Sequence, residues 1–121
     1  MTKRSIIVWG EIPVTDMEKS VAFYNKVFGY DMTIDNSGPN PMAILGGTMD
    51  DAGGHLYPGK PAKDGGNTIH LGLADSLEAG MQRCRDAGGE VVSDPIAIPS
   101  GRFAYVKDLD GNSIGLFEAN A

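Results

Sequence analysis

Three side chains in this 121-residue chain could hold a divalent cation or move a proton: Glu11, His55 and His70. One carboxylate and two imidazoles make a donor set that can bind a metal with open positions, and such a metal would polarise a carbonyl or enolate while Glu11 moved the proton. The chain has only two histidines, so chance can equally place both on strands. In that case His70 is a polar residue of a cavity or surface, His55 is exposed, and Glu11 bonds to backbone or to an arginine such as Arg102. Trp9, Tyr105 and Phe117 offer a second chemistry, because aromatic faces beside a few polar groups suit a small planar or apolar ligand. Cys84 has no histidine near it in sequence and reads as a core thiol rather than a nucleophile. The segment Asp108-Leu109-Asp110-Gly111-Asn112 lacks the carboxylate spacing and closing glutamate of a calcium loop, so it reads as a hairpin turn. Gly46-Gly47 and Gly65-Gly66 lack the strand-to-helix setting of a phosphate loop.

These side chains must be carried by short elements. Residues 16–28 place Val21, Tyr24 and Phe28, with Val27 beside them, on one helical stripe, capped by Thr15 or Asp16 and ended by Gly29. Residues 75–87 repeat the arrangement with Leu77, Met81 and Cys84, capped by Asp75 or Ser76 and ended by Gly88-Gly89. Strands are expected at 6–14 and 68–73 before the helices. Three more follow each helix, at 30–34, 42–45 and 54–57, then at 90–98, 103–107 and 113–118. Alternation puts Val8, Ile12 and Val14 under the first helix and Trp9, Glu11 and Pro13 on the opposite face. It likewise puts Ile69, Leu71 and Leu73 under the second helix and Thr68, His70 and Gly72 opposite. Glycines precede His55 and permit a bulge, so the direction of that side chain stays open.

The pattern βαβββ thus occurs twice. Asp16 and Asp75, Gly29 and Gly88, and Asp51 and Asp110 all stand 59 residues apart. We expect one domain over 1–121, with a first module at 1–58, a glycine- and proline-rich linker at 59–66 and a second module at 67–121. Many of the 17 glycines then serve as turn and helix-end punctuation. A net charge of −6 and no Lys/Arg run longer than Lys3-Arg4 argue against nucleic acid and favour cationic ligands. The longest apolar stretches, such as residues 6–9, are far too short to cross a bilayer, no signal-peptide core is present, and one cysteine cannot form an internal disulfide. The expected compartment is the cytoplasm.

The run from Val14 to Gly29, VTDMEKSVAFYNKVFG, and the run from Val106 to Leu116, VKDLDGNSIGL, resemble the vicinal oxygen chelate superfamily. Glyoxalase I, bleomycin-resistance proteins, fosfomycin-resistance enzymes and extradiol dioxygenases belong to it. The resemblance implies an α+β fold in which two tandem βαβββ modules form a cup-shaped mixed sheet with helices on the outer face. It also implies a homodimer and, in metal-using members, a divalent ion held by His, Glu or Gln on the first and last strands of each module. Carried over by spacing, those positions are Trp9, Leu56, Thr68 and Gly115, none of which supplies such a ligand. His55 and His70 stand one and two residues away from two of them. The resemblance therefore favours a small-molecule-binding protein of the bleomycin-resistance type, without a cofactor, its cup lined by Trp9, Glu11, His70, Tyr105 and Phe117. The alternative is a metal-dependent lyase, isomerase or dioxygenase with a remodelled site at Glu11, His55 and His70 and Glu11 as the catalytic base.

Overall fold

A computed structural model describes residues 9–46, 52–62 and 66–120. The elements run β1 (Trp9–Val14), α1 (Met17–Phe28), β2 (Ala43–Gly46), β3 (Gly53–Pro58), β4 (Ile69–Gly72), α2 (Leu77–Asp86), β5 (Glu90–Val91), β6 (Ile96–Ile98), β7 (Gly101–Lys107) and β8 (Ser113–Ala119). They build two open mixed sheets, ordered β1-β3-β2 and β4-β8-β7-β5, with β6 also paired to β7. In each sheet the strand before the helix lies parallel to the last strand, β1 to β3 and β4 to β8. This is the α+β repeat expected from the sequence, with the helices packed on one side of the strands.

Local chemistry explains the helix limits. The Asp16 carboxylate accepts from the Lys19 N–H and caps α1, and the Ser76 hydroxyl accepts from the Ala79 N–H and caps α2. Gly29 leaves α1 in the left-handed region at φ 73°, where a side chain would be strained. The apolar stripes meet one core containing Ile12, Val14, Tyr24, Val27, Leu77, Met81, Cys84, Ala104, Val106 and Leu116. Ser20 and Phe23 are buried on α1 as well, which widens its stripe. Among the described residues no helix is long and apolar enough to cross a membrane.

Two expected strands differ. Residues 30–34 form none: the Asn25 side chain takes the Met32 N–H at 2.8 Å and its carbonyl at 3.3 Å, and sheet pairing shrinks to one bridge between Asp35 and Met42. A side chain has taken the place of a ladder partner. The stretch 90–98 splits into β5 and β6, because Pro95 has no N–H to donate and the Ser93 hydroxyl accepts the Tyr105 N–H that a continuous strand would use. Residues 6–8 of the first strand, Asp51 and residues 63–65 of the expected linker lie outside the described residues.

A polar seam joins the two halves. The buried Asp108 carboxylate accepts from the Tyr24 hydroxyl at 2.7 Å, from the Asn112 amide and from the backbone N–H groups of Asp110 and Asn112. Asn112 in turn donates to the Pro13 carbonyl, and the Arg83 Nε donates to the Val27 carbonyl. Burial and the adjacent Asp108 push the Tyr24 phenol well above its ordinary pKa, so it stays a donor.

Candidate functional site

The sheet faces away from the helices carry the candidate residues in cross-strand rows. On the first sheet Glu11 pairs with His55 and Pro13 with Tyr57, and Trp9 stands one row before them. On the second sheet one row runs His70, Gly115, Tyr105 and the next Gly72, Phe117, Phe103. The expected parity holds for Ile12 and Val14, which are buried, while Trp9 is 39% exposed.

Register also places His55. Glu11 and His70 occupy equivalent positions, since 70 − 11 is 59, and their partners across the parallel pair are His55 and Gly115, for which 115 − 55 is 60. The repeat therefore slips by one residue at the last strand of each half. The equivalent of Gly115 is His55, and Leu56, paired with Gly115 by the uniform 59-residue spacing, is 0% exposed and belongs to the core. A register shift between Ile44 and Gly46, where β2 meets β3, accompanies this slip.

The first face forms a directed polar chain. The Trp9 indole N–H donates to His55 Nδ1 at 2.8 Å, and His55 Nε2 lies 3.5 Å from Glu11 Oε1. An indole can only donate, so Nδ1 is the accepting nitrogen and the neutral ring carries its proton on Nε2. His55 is only 9% exposed, whereas the Glu11 side chain is 62% exposed. Arg102 is not the partner of Glu11: it bonds both carboxylate oxygens of Glu78 and one of Glu118.

The second face is an aromatic cluster. His70 lies edge-on to Phe103 and Tyr105, with ring centroids 5.1 and 5.8 Å away, and those two rings are 5.3 Å apart. Gly115 makes this possible, because a Cβ there would collide with the imidazole, meeting its Cγ at 2.7 Å. Phe103 was not among the expected site residues, although its parity with Tyr105 points to it. Cys84 is buried, and burial pushes its thiol up to about 11, consistent with a core role.

A groove of about 1130 Å³ borders β1 and β4, which end the two sheets among the described residues, and its walls include Trp9, Glu11 and His70. Tyr105 and Phe117 stand on the same face as His70, outside those walls. A smaller cavity of about 310 Å³ shares Glu11 as a wall and is also lined by His55, Tyr57, Asp35, Pro39 and Met42. Glu11 and His55 are thus neighbours, whereas His70 belongs to the other sheet. Among the described residues no three His, Cys, Asp or Glu side chains gather into a metal-holding group. Of the positions carried over from metal-using relatives, Trp9 and Gly115 supply no ligand side chain, while register puts His55 in place of Leu56.

Residues 6–116 match the family model of the Glyoxalase/Bleomycin resistance protein/Dioxygenase superfamily. Curated relatives include the putative glyoxylase CFP32 of Mycobacterium bovis and of Mycobacterium tuberculosis, each 32% identical over 110 residues covering 87% of this chain. The chain spans about two-fifths of the length of those relatives, 41% in each. Among solved structures, TnmS3, an antibiotic binding protein from Streptomyces sp. CB03234, is 28% identical with a TM-score of 0.68, covering 99% of this chain and all of its own. A glyoxalase/bleomycin resistance protein from Albidiferax ferrireducens T118 reaches a TM-score of 0.75 at 20% identity, covering 96% of this chain and 100% of its own, and speaks for the fold alone. The repeated strand–helix–strand pattern, the paired sheets and these matches agree: the chain belongs to the glyoxalase/bleomycin resistance protein/dioxygenase superfamily.

Proposed function

We propose that this protein binds a small organic molecule, in the manner of the bleomycin-resistance branch of its superfamily, and does so without the family's metal. One observation carries the reading: where metal-using relatives place a ligand on the last strand, Gly115 instead makes room for the His70 ring, which completes an aromatic surface with Phe103 and Tyr105. His70 and the exposed Trp9 line one groove and give apolar contact area there, and Glu11 adds a negative charge that favours cationic or hydrogen-donating groups. The likeness to an antibiotic binding protein at 28% identity supports the same class.

The chain acts in this reading as one domain of two modules, 1–58 and 67–121, and as a homodimer. Sedimentation equilibrium tests the assembly. Trp9 is the only tryptophan, so its fluorescence reports ligand at the groove. Titration with a panel of aromatic small molecules, antibiotics included, should give saturable quenching that a chelator leaves unchanged. Quenching that needs an added divalent ion would overturn the metal-independent reading and favour the lyase, isomerase or dioxygenase alternative.

A further inference from the structure

The polar chain on the first sheet carries more specific information than the aromatic face, because its proton positions are fixed. Trp9 occupies the Nδ1 lone pair of His55, which leaves Nε2–H as the only donor of a nearly buried ring. Among the described residues no hydrogen bond takes up that N–H, and Glu11 Oε1 stands 3.5 Å away, too far for a strong bond. Both groups wall the cavity of about 310 Å³, with Tyr57, Pro39 and Met42 as its less polar sides. Asp35, Ser37 and Asn40 add polar groups to the wall, and at its His55 edge the cavity sets one N–H donor beside one carboxylate acceptor.

We propose that this edge recognises a cyclic cis-amide, the N–H and C=O edge shared by lactams, imides and pyrimidine-type heterocycles. The ring carbonyl accepts from His55 Nε2–H and the adjacent ring N–H donates to the Glu11 carboxylate. The dimensions agree. In a cis-amide the nitrogen and oxygen are about 2.2 Å apart, and two slightly splayed hydrogen bonds of about 2.9 Å reach groups 3.5 Å apart. Ordinary trans-amides point the two groups in opposite directions and cannot make both bonds. Guanidinium and amidinium groups would set a donor against His55 Nε2–H, and anions would meet the carboxylates of Glu11 and Asp35. The proposal rests on the small-molecule reading and names one chemical class for it.

The test uses the indole N–H resonance of Trp9, unique in the chain and bonded directly to His55. δ-Valerolactam, N-methyl-δ-valerolactam and linear N-methylacetamide are titrated into the millimolar range against the wild type and Glu11→Leu. Glu11 is exposed, so the variant should keep its fold, which retained dispersion of the core resonances confirms. A saturable shift is expected with δ-valerolactam, with binding at least about tenfold weaker for the other two amides and for Glu11→Leu. Equal binding of the two lactams, wild-type affinity in Glu11→Leu, or no shift with δ-valerolactam would overturn the proposal. If larger aromatic ligands still quench Trp9 while the lactam is silent, this proposal alone fails; if neither binds, the small-molecule reading fails with it.

Discussion

The two sheets repeat one backbone plan but present different chemistry on their open faces. In the first, the row beside the parallel pair holds Glu11 and His55, and Trp9 fixes the imidazole on its edge. In the second, the equivalent row holds His70 and Gly115, and the imidazole lies over the glycine against two aromatic rings. The histidine thus stands on the last strand in one half, opposite a carboxylate, and on the first strand in the other, opposite a glycine. A duplicated fold supplies equivalent positions, and the residues opposite them supply the function.

The largest expected effect comes from removing the pairing on which the first face depends. Gly54 lies against the backbone of Gly10, and a Cβ would meet the Gly10 carbonyl carbon at 3.1 Å and its Cα at 3.3 Å, so Gly54→Ala should force β1 and β3 apart. We expect a loss of about 3 kcal/mol in urea unfolding, together with loss of the Trp9–His55 bond. Next comes the seam that holds both faces in place. In Asp108→Asn, the amide NH₂ would face the Tyr24 hydroxyl and the Asn112 amide where a carboxylate now accepts, and about 2 kcal/mol should be lost.

Gly115→Ala is milder, because a side-chain ring can swing away where backbone cannot. It should cost about 1 kcal/mol, while ring-current shifts of His70 against Phe103 and Tyr105 disappear from the NMR spectrum and Trp9 stays unchanged.

Acid should separate the halves by a smaller amount. Arg102 hydrogen bonds hold Glu78 down to about 2, the Arg83 hydrogen bonds lower Asp75, and the Leu77 N–H followed by Arg102 lowers Glu118. Each folded pKa lies below its unfolded value near roughly 4, so the stabilisation is complete above that value and is lost as the pH falls toward about 2. In the first half, among the described residues, only Asp35 is lowered in this way, by Ser37. Hydrogen exchange should therefore show α2 and β8 loosening with acid before α1 and β1, and Arg102→Met should reduce that difference, leaving the part due to Arg83 and Asp75.

Much of the fold was legible because it depends on periodic burial. The stripes of α1 and α2, their caps, and the parity that points Trp9 and Glu11 away from Ile12 and Val14 all follow from spacing. The missing strand at 30–34 was not, because Asn25 satisfies the backbone of Met32 from seven residues away, a tertiary choice that apolar alternation does not encode. His55 was the hardest residue to read. Gly53 and Gly54 allowed either face, and only the parallel register with β1 shows that it stands opposite Glu11. Phe103 was open to the same parity argument that selected Tyr105. The joining of Trp9 to His55 across 46 positions of sequence had no local signal at all.

The central claim, ligand binding on open faces that lack the family's metal, is tested most directly by elemental analysis. The purified protein would be incubated with Zn²⁺, Ni²⁺, Mn²⁺ or Fe²⁺ and desalted, and its melting temperature followed in parallel. The expected result is far less than one metal ion per chain and an unchanged melting temperature. One ion per chain, with a thermal shift abolished by His70→Ala, would contradict it.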